Sequence, residues 1–271
     1  MYAFVFFTSS VIAFSFPRVD DRLVERTPLL ENPPFSLSQT LGDHMTLQRD
    51  VPAMVWGFAP SGTTVKTLFG GKSYTTSTGS DTIWRQVLPV QKANNVGQNI
   101  SFSASTGEKA ELLDVVFGDV YICSGQSNMQ FSIPATTNSS AEIKAANDYP
   151  DIRIFTVGQG TFSGTPLTDL KTIEQKWAVA TNTSVSSKSE FGYFSSVCWF
   201  FGKGIYDSLK SSGAPVPLGL ISNNWGGTPV EHWADPAAFA RCNRTDSDSS
   251  LYNAMIHPYE VGPMALSGFT W

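Results

Sequence analysis

Cysteine, histidine and charge are all scarce in this chain, with 3 Cys, 3 His and 15% charged side chains among 271 residues. So few cysteines exclude a disulfide-dense scaffold and leave a hydrophobic core to hold the fold. The length allows one large domain or two ordinary ones. Lys and Arg number 18 against 23 Asp and Glu, a net charge of −5 with no basic stripe. Nucleic acid and anionic membrane surfaces are therefore not expected partners. Beyond the first residues no apolar run is long enough for a membrane span, and no metal or cofactor is called for. What is present is globular: 41% hydrophobic and 13% aromatic side chains. A weakly acidic, aromatic-rich chain is compatible with sugar binding, as it is with much else.

The start is uncharged from Tyr2 to Phe16, with Ala13-Phe14-Ser15 as a small-x-small cleavage site. That run is short for a bilayer and reads as a secretory signal over 1–15, although only the amino terminus supplies positive charge. Residues 16–34 then form a leader or linker. Four N-x-[ST] triplets, at Asn99, Asn138, Asn182 and Asn243, fit export and glycosylation. Together they imply the secretory pathway, with a lysosomal or extracellular destination. Cys123 ends an apolar run and Cys198 lies in an apolar helical pattern, so both read as buried thiols. Cys242, in a polar loop, is the candidate for a disulfide or a free thiol.

The periodicity divides the chain. Over 35–116, short β-branched and aromatic runs ("AMVWGFA", "TVKTLF", "TIWRQVLPV", "NISFSAS") alternate with turn signals at Pro60-Ser61-Gly62 and Gly70-Gly71. A β-sandwich-like domain is expected there. Over 117–271 the pattern becomes α/β. "DVYIC", "DIRIFTV" and "LGLIS" read as strands buried on both faces. A helix is predicted from Phe194 through Val197, Cys198, Phe201, Ile205 and Leu209, ending near Ser211-Ser212-Gly213. Such strands make a parallel sheet whose carboxyl-end loops carry the site. "SGQSNMQ" and "SNNWGGTPVEHW" fall at those ends.

Ser127, in the first of these loops, is a nucleophile only if a base takes its proton and donors stabilise the oxyanion. Gly125 allows the tight turn, but Gly125-x-Ser127-x-Met129 lacks the second glycine of the α/β-hydrolase elbow. Taken alone the motif also fits a polar loop whose Ser127 and Asn128 bond locally.

"CSGQSNMQ", "GLISNNWGGTPVEHW" and "LYNAMIHP", in that order, resemble the sialate O-acetylesterases, carbohydrate esterases of the SGNH-type hydrolase fold. The upstream "LQRDVPAMVWGFAPSGTTV" resembles that family's β-rich N-terminal region. The resemblance implies that Ser127 is the nucleophile and that its N–H, with that of Gly226 or Gly227, holds the oxyanion. Gln126 and Asn128 would line the substrate site. The implied substrate is an O-acetylated sialic acid or a related acetylated sugar. Trp225 and Trp233 could stack on a sugar, with buried packing the more natural reading. Glu231 is expected to satisfy nearby backbone or hydroxyl groups.

The resemblance also implies an Asp-x-x-His base and a Gln-Gly-Glu block, neither of which occurs here. His44, His232 and His257 are the only histidines, and none follows an aspartate at that spacing. The fold expected is therefore an incomplete SGNH-type parallel-sheet domain, and the chain alone is expected to turn over little or no ester. The competing reading is a non-catalytic, secreted glycan-binding module.

Overall fold

The computed structural model describes residues 32–186, 194–244 and 248–271. The signal expected over 1–15, and most of the leader after it, lie outside the described residues.

Seven short strands come first: β1 (Ser36–Leu37), β2 (Thr46–Gln48), β3 (Ala53–Phe58), β4 (Thr64–Phe69), β5 (Lys72–Ser77), β6 (Ile83–Leu88) and β7 (Asn94–Ala104). In β4, Val65, Thr67 and Phe69 are buried while Thr64, Lys66 and Leu68 face solvent, as a strand covered on one side requires. β1, β3 and β6 form a three-stranded antiparallel sheet. Trp84 of β6 meets Phe102 of β7 with ring centroids 5.4 Å apart, joining that sheet to the larger one.

β8 runs from Lys109 to Gly125 without a break. Its first half alternates in burial and pairs antiparallel with β7, whereas almost every residue from Val115 onward is buried. There its neighbours are parallel: β11 (Leu218–Asn224) on one side and β12 (Gly268–Thr270) on the other. The change of pattern expected at 116/117 thus falls inside one strand, and both parts share one core cluster. At this crossing Gly118 lies against the Pro217 carbonyl, where a Cβ would collide with backbone. β9 (Ile152–Val157) is buried throughout and pairs parallel with β11, and β10 (Ile173–Val179) runs antiparallel on its outer edge. The result is a mixed sheet of nine strands, parallel where the predicted strands "DVYIC", "DIRIFTV" and "LGLIS" meet.

Three helices bear on the site. α1 (Ser127–Gln130) is a single turn directly after β8, and α2 (Ser139–Ala145) follows it. α3 (Ser196–Ser211) is the predicted amphipathic helix, which buries Cys198, Trp199, Gly202 and Tyr206 on its inner face. Ser195 caps it, its side chain accepting from Cys198 N, a bond of about 1 kcal/mol. Among the described residues no helix is long and apolar enough to cross a membrane.

One sequence reading needs correction. Cys123 and Cys198 are buried, but not as thiols: they form a disulfide with their Cα atoms 5.7 Å apart. Periodicity placed each on an inward face without showing that the two faces meet. Cys242 is exposed and unpaired.

Two acid clamps hold the N-terminal strands to the sheet. Arg153, with a side chain only 6% exposed, donates to Asp114, which also pairs with His44 at 2.7 Å. Asp169 accepts from Ser38 Oγ at 2.8 Å and from the N–H groups of Gln39 and Leu170, each at 2.9 Å. Burial pushes the Asp169 carboxyl up to about 6, although these donors pull the other way.

Candidate active site

The loops leaving the carboxyl ends of β8 and β11 lie side by side because the strands pair in register from Asp119–Leu218 to Gly125–Asn224. The pairing continues one bond further, from Trp225 N to Gly125 O at 3.0 Å. At Gly125 the backbone takes a φ of 143°, a conformation open to glycine, and the chain turns at once into α1. Ser127 is the first residue of that turn, and its side chain is exposed at the sheet end. This is the crevice position that an open α/β sheet offers to a ligand.

Ser127 lines a cleft of about 320 Å³ together with Gln126, Asn128, Met129, Val197 and Trp271. Among the described residues no charged side chain borders it. The Ser127 hydroxyl donates to Gln126 Oε1 at 3.1 Å. A side-chain amide is not a base, so this bond orients the hydroxyl without activating it. Asn128 borders the same cleft. From beneath, Met129 accepts a hydrogen bond from Ser195 Oγ at 3.4 Å, which ties the turn to the start of α3.

Gly226 and Gly227 follow β11 on the facing loop. A Cβ at Gly226 would stand 3.5 Å from Ser127 Oγ and 3.4 Å from Ser127 Cα, so this glycine abuts the serine. The same Cβ would lie only 2.5 Å from Gln130 Oε1, the oxygen that accepts the Gly226 N–H at 2.6 Å. Gly227 has a φ of 78°, in the left-handed region. Thr228 Oγ1 closes the turn on the Trp225 carbonyl at 2.7 Å and accepts from Trp233 Nε1 at 2.9 Å.

Trp225 packs on Phe162 with centroids 4.4 Å apart, and Trp233 is buried with its ring edge-on to Trp271. Trp233 is thus taken up by packing, while Trp225 stays partly exposed. Glu231 departs from expectation: among the described residues its carboxylate has no hydrogen bond to backbone or hydroxyl, because the short 3-10 turn Val230–Trp233 that carries it is closed by backbone bonds.

All three histidines are engaged elsewhere. His44 pairs with Asp114, and His257 Nδ1 bonds to the Leu167 carbonyl at 2.9 Å. His232 lies between Asp248 at 3.3 Å and Ser250 Oγ at 3.4 Å. Among the described residues none hydrogen-bonds to Ser127, and no group of His, Cys, Asp and Glu could hold a metal ion. What the loops assemble is an exposed serine hydroxyl with a glycine pressed against it and, among the described residues, no histidine or carboxylate bonded to that hydroxyl. The sequence did not single out Gln130 or Gln159, whose amides join at 3.2 Å behind the turn. Gln130 sits one helical turn past Ser127 and was legible by spacing; Gln159, in the loop after β9, carried no signal.

No family model matches the sequence. The sialate O-acetylesterase of Rattus norvegicus is 33% identical over 238 residues, 84% of this chain and 43% of that protein. That of Homo sapiens is 30% identical over 266 residues, 88% of this chain and 48% of its own length. The crystal structure of a carbohydrate acetylesterase from Xanthomonas citri superposes with a TM-score of 0.73 at 30% identity, covering 86% of this chain and 50% of that one. The chain spans about half the length of the curated relatives it matches. Over that span it belongs to the sialate O-acetylesterase family.

Proposed function

We propose that this chain forms the nucleophile half of a serine esterase that removes O-acetyl groups from sialic acids or related sugars. The observation that carries the reading is the exposed Ser127 at the end of β8, with Gly226 pressed against it. The relatives' names support acetylated sugars as the substrate class. In the first step Ser127 Oγ attacks the acetyl carbonyl and the sugar oxygen leaves with a proton; in the second, water attacks the acyl-enzyme and releases acetate. The Ser127 N–H and one N–H of the glycine pair would hold the oxyanion in both.

The base is the Asp-x-x-His block that the family resemblance implies, which these residues do not contain. The 271 residues alone are therefore proposed to turn over little ester, and the activity to belong to a longer form. The test compares the two. A form carrying that block should release acetate from O-acetylated sialic acid and take up a serine-directed organophosphate, and Ser127→Ala should abolish both. Labelling that survives Ser127→Ala would refute the assignment.

A secretory location, lysosomal or extracellular, is part of the proposal. The Cys123–Cys198 disulfide suits an oxidising compartment, and Asn99, Asn138, Asn182 and Asn243 are all exposed for glycosylation. The histidines, each engaged away from Ser127, support a second reading, a glycan-binding module without chemistry. It requires sugar binding that persists in Ser127→Ala and no acetate release from the longer form.

A further inference from the structure

The Gln130 side chain belongs to a chain of three hydrogen bonds. Its oxygen accepts the Gly226 N–H at 2.6 Å, and its nitrogen donates to Gln159 Oε1 at 3.2 Å. Gln159 Nε2 then donates to the Asn224 carbonyl at 3.1 Å. The two ends are backbone groups of opposite kind: an N–H that can only donate and a C=O that can only accept. Each amide is therefore held in one orientation, because flipping either sets like groups face to face. The bonds join α1 to the loop after β9 and to both sides of Trp225, spanning the three strand-end loops of the crevice.

We infer that Gln130 is a positioning residue, which holds Gly226 against Ser127 and, by occupying its N–H, leaves the Gly227 N–H as the open oxyanion donor of the pair. An N–H held at 2.6 Å cannot serve a substrate oxygen without first leaving Gln130. Among the described residues the Gly227 N–H makes no hydrogen bond. The Gln130 clamp stands on geometry alone; the role given to Gly227 rests on the esterase reading.

The test follows backbone amides in protein labelled with 15N-glycine. Gln130→Ala should speed hydrogen exchange at Gly226 by about tenfold, the effect of losing one hydrogen bond. Gln130→Glu keeps an acceptor for Gly226 and should restore its protection, while giving up the bond to Gln159. Gln159→Leu, which cuts only the far end, supplies a second variant should Gln130→Ala fail to fold, and should speed exchange to a smaller degree. Gly226 exchange unchanged in both Gln130→Ala and Gln159→Leu overturns the clamp.

In a longer form that carries the Asp-x-x-His block, organophosphate labelling of Ser127 should move the Gly227 amide resonance and leave that of Gly226 in place. The reverse overturns the assignment of Gly227. Labelling should also slow by about tenfold in Gln130→Ala and recover in Gln130→Glu. If that longer form takes no label at all, the esterase reading fails and the Gly227 assignment with it, whereas the exchange measurement still decides the clamp.

Discussion

Cys123 of β8 is bonded to Cys198 of α3, 75 residues away in sequence, immediately beneath the turn that presents Ser127. The bond pins the inner face of the helix to the strand that leads into Ser127. Ser195, at the start of that helix, reaches Met129 in the same turn.

Cys198→Ser should therefore loosen the site as well as lower stability. A cross-link closing a loop of this length contributes about 2–4 kcal/mol. Urea denaturation with and without reductant should show that loss in the native protein, and no reductant effect in the variant.

Gly226→Ala tests the close approach of the two loops. Its Cβ would stand 2.5 Å from Gln130 Oε1, so either Gln130 or the loop must shift. Displacement of about 1 Å at a reacting centre costs about 10²-fold in rate. The rate of organophosphate uptake by the longer form should fall by about that factor while its thermal midpoint changes little. An unchanged rate would remove Gly226 from the site.

Arg153 is buried, and Asp114 is its ionic partner. Asp114→Asn keeps the left-handed backbone that Asp114 adopts, at φ 54°, but leaves the guanidinium without a counter-charge. Stability should drop by about 2 kcal/mol in chemical denaturation. Burial raises the Asp114 carboxyl, but the bonds and charges of Arg153 and His44 together outweigh it, so its net shift is downward. Its contribution is present above the ordinary aspartate range and fades as pH falls through the lowered value.

Asp169 should behave in the opposite sense. Burial pushes its carboxyl up to about 6, against 3.8 for a free side chain. The folded state binds the proton more tightly, so this group's stabilisation is complete below the free value. It is lost as pH rises through about 6. Denaturant midpoints measured across that window should decline more in the native protein than in Asp169→Asn. Parallel curves would show that the three donors, rather than burial, govern this carboxyl.

The parallel strands and α3 were legible in the sequence because burial on both faces requires unbroken apolar runs, and burial on one face requires a period. "DIRIFTV" and the run from Phe194 to Leu209 carry those signals without help from distant residues. The change of period near 116/117 was legible, but not that a single strand carries it. β8 passes from half-buried to almost fully buried inside one strand, at the left-handed Asp114, which shifts the register with β7 without ending the strand. The disulfide was hidden for a related reason: each cysteine showed that it faced inward, and neither showed what it faced.

By itself, the sequence determined the buried strands "DVYIC", "DIRIFTV" and "LGLIS" and the helix α3, that Ser127 follows a buried strand, and that no histidine follows an aspartate at the spacing of the family's base. These are properties of local order along the chain. Only the tertiary structure decided that Gly226 lies against Ser127, that Gln130 and Gln159 bridge their loops, and that each histidine is engaged away from Ser127. Those contacts depend on the register between β8 and β11, which is set by packing on both faces of the sheet and not by either strand's own residues.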